Sequence, residues 1–245
     1  DTNQSALLRN TATKGIAAEI TTLIRTGLLR NRRELPSPSY TISCGEDLLG
    51  VRPDIDPEIE RLEQIYRIAT RHFNLEGSQA SIPRIASELG VSKTVIYQYA
   101  IDKQELMFNC YERGANVVER SHRTASDFAR DPLDEVIIHR TNLYLFHDSA
   151  VGPFTLLNAI EHLKTQHQRI IKMRNRGLRE TSVQRLNRAM DTGYLRSDLT
   201  AGIVQPVIGQ SLYGLPSWFN DAYPLSIEEV AKQSLMLYYQ GLQST

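Results

Sequence analysis

Apolar residues recur every three to four positions along almost the whole chain, and this period leaves little besides packed helices open to it. Ile59, Leu62, Ile65, Tyr66, Ala69 and Phe73 share one face of a helix expected over 58–73. Short helices are expected at about 81–89 and 92–99, and a long one from 102 to about 126. Asp102-Lys103-Gln104-Glu105 opens the long helix as a capping box. Further helices are expected near 133–147, 153–163, 166–191, 199–220 and 226–243, with Pro206 and Pro216 kinking or interrupting the one at 199–220. No run alternates as a strand would, so the fold class is all-α.

The ends of this pattern give the domain organisation. Ile16, Ile20, Leu23, Ile24 and Leu28 place one more helix near the start, ending near Gly27. Glu34–Pro57 follows with four of the ten prolines and reads as a linker. The expected division is an N-terminal extension (1–57), a small helical unit (58–105) and a larger helical domain (106–245). The extension is expected to pack or to stabilise a dimer, with Arg30, Arg32 and Arg33 as a small basic cluster after it.

Charge balances at 28 basic and 28 acidic residues, which excludes a polycation but not a local basic face. Apolar runs are too short to span a bilayer, and Asp1-Thr2-Asn3-Gln4 does not open a cleavable leader. Two distant cysteines, Cys44 and Cys110, make neither a disulfide framework nor a thiolate zinc site. A reducing, cytoplasmic setting is expected. There is no HExxH, no Gly-rich phosphate loop and no GxSxG, so neither catalysis, nor a metal, nor a cofactor is expected.

The most specific segment is Ile82–Tyr99. Two helices crossing steeply need a small residue at their contact, which Ala86 provides, and a positive φ at the turn, which Gly90 permits. Ile85, Leu89, Val91 and Ile96 fall on the inner side, and Ser92 is placed to cap the second helix. Lys93, Thr94, Val95, Tyr97 and Gln98 remain on or near its outer face, with groups able to reach phosphates and base edges.

These residues resemble the TetR family of bacterial transcriptional repressors. The likeness is carried by Ile85-Ala86, Leu89-Gly90-Val91-Ser92-Lys93, Ile96-Tyr97, Tyr99, and Lys103 with Leu106, after a helix ending at Phe73 and Gly77. It is specific over about 58–110 and architectural beyond. Thr94 stands where the family often has glycine, and Ala100 where it usually has an aromatic.

The resemblance implies a helix-turn-helix DNA-binding domain followed by a helical ligand-binding and dimerisation domain. The implied function is a homodimeric repressor that binds a palindromic operator and is released by a small-molecule effector. An activator, a repressor without an effector, and a helical adaptor without DNA binding are the alternatives. DNA contacts are expected from Arg84, Ser92, Lys93, Thr94, Val95, Tyr97, Gln98, Tyr99 and Lys103. Tyr97 and Lys103 match phosphate-contacting positions; Lys93, Thr94, Val95 and Gln98 are the candidates for base edges. Effector contacts are expected from Asn142, Phe146, Phe154, Leu157, Asn158, Arg176, Tyr213 and Trp218.

Between Lys164 and Arg188 stand eight basic residues and one acid, with Arg169, Lys172, Arg176 and Arg179 along one face. Two readings are open: a seat for an anionic effector such as an acyl-coenzyme A or a carboxylate, or a solvated face balancing acids elsewhere. The last two helices are expected to form a four-helix bundle with a second copy, through Ile203, Val207, Gln210, Gly214 and Trp218 on one. Ile227, Val230, Ala231, Leu235, Tyr238 and Leu242 would do so on the other.

Overall fold

The computed structural model describes residues 18–23, 25–28, 57–149, 152–155, 157–220 and 222–240. They form helical segments at 18–23 and 25–26 and eight further α-helices. The helices are α1 (Pro57–Glu76), α2 (Ile82–Glu88), α3 (Lys93–Ile96), α4 (Lys103–Phe128), α5 (Pro132–His147), α6 (Thr165–Asp191), α7 (Ala201–Gly214) and α8 (Ile227–Gln240). No strand occurs among the described residues. Arg30, Arg32, Arg33, Cys44, Leu242 and the Pro-rich linker lie outside them.

The small unit is built on an apolar cluster. Ile65, Ala69 and Phe73 of α1 meet Ile82, Ile85 and Ala86 of α2, Ile96 of α3, and Leu106, Met107 and Cys110 of α4. Ala100, small where an aromatic was the family's habit, is buried in the same cluster. The capping box forms at the start of α4: Asp102 Oδ1 accepts from the Glu105 amide at 2.8 Å, while the Glu105 carboxylate accepts from the Ile101 amide. From there α4 runs on into the larger domain, where Val117 and Val118 join a second cluster with Leu143, Phe146, Leu212 and Val230. One continuous helix thus belongs to both cores.

α5 lies in the middle of the larger domain and is buried on nearly every side. Its polar residues therefore need partners. Asp134 takes Arg130, and Glu135 takes Arg185, Arg188 and Ser126.

Three expectations are corrected. The helix anticipated at 153–163 is only a 3-10 turn, Leu157–His162; ahead of it the Gly152 backbone doubles back against the Phe146 and His147 carbonyls. The helix anticipated at 199–220 ends at Gly214, interrupted as expected ahead of Pro216, which sits in a separate 3-10 turn, so only its extent is corrected. Pro206 stays inside α7 because it and Gly202 are both exposed, so water can solvate the carbonyl that loses its amide partner.

The third correction concerns the last helix. Ile227, Val230, Ala231, Leu235 and Tyr239 are buried within this same chain, so the face assigned to a second copy is already covered. Around Leu235 and Tyr239 part of the cover comes from the chain's beginning. Leu23 and Leu28 insert fully between α5, α6, α7 and α8. The Leu28 amide donates to the Tyr238 carbonyl at 2.9 Å, and the Leu28 carbonyl accepts from the Arg196 amide at 2.8 Å. Gly27 makes this possible with φ +72°, pressed against the Tyr239 carbonyl where a Cβ would clash. Glu19 accepts from the Thr200 amide at 2.8 Å and so satisfies a free donor ahead of α7.

Candidate nucleic-acid interface and effector cavity

The loop between α2 and α3 closes as a Schellman turn. The Val91 amide donates to the Ala86 carbonyl at 3.0 Å, with Gly90 beyond the helix end at φ +68°. That turn fixes the angle at which α3 leaves the unit. Ile96 is fully buried and anchors α3 from beneath, while Ser92, Lys93, Thr94, Tyr97 and Gln98 are all exposed. Val95 is half-buried between the two sides.

α3 is shorter than anticipated. The α-helix ends at Ile96, and beyond it Gln98 and Tyr99 donate three residues back, to Val95 and Ile96 at 3.2 and 3.0 Å, before Ala100 donates to the Ile96 carbonyl at 3.3 Å. Ser92 holds the N-cap position with an extended backbone, yet its hydroxyl makes no capping bond. Among the expected DNA contacts, Tyr99 packs half-buried against the small core. Lys103 Nζ donates to the Ser78 carbonyl at 2.6 Å. Arg84 Nη1 donates to Glu76 at 2.9 Å. The Glu76 contact belongs to a lattice tying α1 to α2, in which His72 reaches Glu76 at 3.1 Å and Glu88 at 2.9 Å. The surface left open at α3 is therefore Ser92, Lys93, Thr94, Tyr97 and Gln98, with Tyr97 46% exposed.

A cavity of about 200 Å³ lies in the larger domain, walled by α4, α5, α6 and α7. Val118, Leu143, Leu178 and Leu212 supply its apolar wall; Arg140, Asn175, Gln205 and Tyr213 supply polar groups, with Arg179 at its exposed side. A narrow recess shares Val118, Asn175, Leu178 and Tyr213 with it and extends to Phe154 and Thr155.

His139 also lines the cavity, and it stacks on His122 with ring centroids 3.7 Å apart. Burial, with the charges of Arg185 and Arg140, pushes His122 down to about 3. Burial holds His139 well below the ordinary imidazole range, helped by His122 and Arg140. Both rings are neutral near pH 7. Ser121 Oγ lies 2.9 Å from His139 Nδ1.

Of the eight residues expected at an effector site, the structure brings Phe154 and Tyr213 to these spaces. Phe146 and Asn142 are core residues of α5 that do not line the cavity. Trp218 is 43% exposed and sits instead in an aromatic cluster with Phe219 and Tyr223. Arg176 points to solvent, paired with Glu180 at 2.8 Å. The side chains of Leu157 and Asn158 lie outside the described residues.

The basic run on α6 is largely neutralised by neighbours. Arg174 meets Glu112 and Glu119 at 2.6 and 3.0 Å, Arg185 and Arg188 meet Glu135, and Lys164 meets Asp102 at 2.8 Å. Arg169, Lys172 and Arg179 remain exposed. Reasoning from sequence missed Arg140. The signal was there, since an arginine sits between the apolar stretches Val136–Ile138 and Leu143–Phe146 of a central helix. A buried charge stripped of its partner costs on the order of 3–5 kcal/mol, which marks this position out. No group of three or more metal-ligating side chains is assembled among the described residues, and no described helix is long and apolar enough to cross a membrane.

Comparison with known proteins places this geometry. No family model matches the sequence. The HTH-type transcriptional repressor KstR2 of Mycobacterium tuberculosis is 22% identical over 195 residues, covering 74% of this chain and 92% of that protein. Its solved structure, described as a ketosteroid transcriptional regulator, aligns with TM-score 0.60 at 19% identity, over 76% of this chain and 94% of that one. The TetR-family regulator PfmR of Thermus thermophilus aligns with TM-score 0.59 at 19% identity, over 74% and 99% of the two chains. AibR, solved in complex with isovaleryl coenzyme A and operator DNA, aligns with TM-score 0.60 at 16% identity, over 73% and 98%. With its helix-turn-helix unit and its helical second domain joined by one long helix, the chain has the fold of the TetR-family transcriptional regulators.

Proposed function

We propose that this protein is a transcriptional repressor that binds operator DNA as a homodimer and releases it when a small molecule occupies the larger domain. The observation that carries the reading is the exposed polar face of α3, held at a fixed angle by the Schellman turn and anchored by Ile96. A duplex presents phosphates and base edges to such a face; Tyr97 supplies a positioning contact, and Lys93, Thr94 and Gln98 supply donors and acceptors for base edges. The repressor KstR2 and the DNA-bound AibR, similar in fold, support the same reading.

In this reading residues 58–105 touch DNA and residues 106–245 sense the effector. α4 couples them. Its first turns carry Leu106 and Met107 beneath the helix pair, and Val118 further along forms cavity wall. Tyr111 of α4 donates to Asn175 Oδ1 at 2.7 Å, and Asn175 also faces the cavity. A ligand favouring one placement of α4 over another shifts the spacing of two α3 helices in a dimer, by no more than its differential affinity for the two states. With most of α8 covered in-chain, the dimer face falls to Ile203, Val207 and Gln210 of α7 and the exposed side of α8 near Met236.

The deciding experiment is a protection footprint on DNA flanking the protein's own gene, at two salt concentrations. A protected, near-palindromic site whose affinity falls steeply with salt is expected. Folded, dimeric protein that protects nothing would overturn the reading in favour of a helical adaptor. Protection insensitive to every effector tested would leave a regulator, activator or repressor, without ligand release.

A further inference from the structure

Arg140 has the one buried guanidinium whose needs the fold leaves unmet among the described residues. It is 7% exposed, on the central helix α5, and makes no hydrogen bond or ion pair there. The other buried guanidinium differs: Arg113 donates to Glu63, while the half-buried Arg185 meets Glu135 and keeps only its Nε without a partner. Arg140 instead lines the cavity between α4 and α7, and no carboxylate lines that cavity with it. Arg179 adds a second positive charge at the exposed side. His139, which lines the cavity beside it, carries no negative charge in either protonation state and cannot serve as a counter-ion.

We infer that this cavity is a carboxylate site: a small organic acid places its carboxylate on Arg140 and its apolar body against Leu143, Leu178 and Leu212. This deepens the effector reading above and rests on it. The fork of donors on a guanidinium matches the two oxygens of a carboxylate, and a charge-assisted pair out of water is the strongest compensation available to Arg140. The cavity's volume of about 200 Å³ accommodates a short acid. An acyl thioester reaching in from outside would present a neutral carbonyl and leave the arginine uncompensated.

The test is calorimetric titration of the full chain, without DNA, using butyrate, hexanoate and benzoate, their primary amides, and inorganic phosphate. Each acid should bind at least tenfold more tightly than its amide and more tightly than phosphate. Arg140→Gln should erase the acid-over-amide preference. Should that variant fold poorly, Arg179→Gln on the exposed side should weaken acid binding severalfold, more at low salt, and leave amide binding unchanged. Acids and amides binding alike, phosphate binding as well as the acids, or no acid binding the folded wild type would each overturn the inference. Because DNA is absent, its failure is separate from failure of the footprint.

Discussion

Gly27 and Gly90 form a matched pair. Both hold a positive φ, +72° and +68°, so an alanine at either suffers the same left-handed backbone penalty, about 1–2 kcal/mol. They differ in surroundings. A Cβ at Gly90 meets nothing within 4 Å, whereas one at Gly27 runs into the backbone of Tyr239 and Gln240. Helix α8 cannot yield there cheaply, because the next residue, Leu28, is hydrogen-bonded to Tyr238. Overpacking of this kind adds about 1–3 kcal/mol, giving about 3 kcal/mol in all for Gly27→Ala.

An upper limit comes from undocking the segment, which exposes Leu23 and Leu28 at about 1.5–3 kcal/mol each. In a chain of this size each kcal/mol moves the melting temperature by about 2–4 °C, so Gly27→Ala should lower it by about 9 °C and Gly90→Ala by about 4 °C. Thermal melts followed by circular dichroism measure both. Hydrogen exchange at the Leu28 amide should quicken in Gly27→Ala alone. If the two variants melt together, the close approach of Gly27 to α8 is not what holds the N-terminal segment, and the argument is refuted.

Other outcomes follow from the same geometry. Gln98→Ala should relax preference at one base pair by about 1–3 kcal/mol, read by binding to single-base operator variants. Tyr97→Phe should instead weaken binding to all sequences alike. His122 is pushed down to about 3, His147 to about 4 and His139 well below its ordinary value. The unfolded chain therefore binds more protons than the folded one below about pH 6.5. Stability is full above that pH and should fall toward pH 4 with a slope of up to about 1.4 kcal/mol per pH unit for each histidine. Denaturant titrations of wild type and His122→Asn should show a shallower slope in the variant; equal slopes would refute the assignment. Burial pushes the Cys110 thiol up to about 12, so its alkylation, located by mass spectrometry, should track global unfolding and be negligible in native buffer.

Much was legible in the sequence because it depended on neighbours along the chain. Gly90 declared the turn, Ala86 the close helix contact, and Asp102 with Glu105 the start of α4; each is satisfied by partners within a few residues. Helical periodicity likewise told which face of α1 turns inward, since one side of that helix meets protein and the other water. The exposed side of α3 could be read by the same subtraction.

What only the tertiary structure decided involves partners far apart in sequence. Periodicity gave α8 an apolar face but could not say that Leu23 and Leu28, some two hundred residues earlier, take a share of it. α5 carried no usable period, because a helix surrounded on every side has no face to distinguish. Charge counting left the α6 arginines open between an anion seat and a face balancing acids elsewhere, and acids on α4 and α5 neutralise several of them. The reverse holds for Arg140, one cation among twenty-eight in a list of residues. Whether a buried charge is paired depends on what three-dimensional packing brings within hydrogen-bonding reach, and pattern along the chain does not encode that distance.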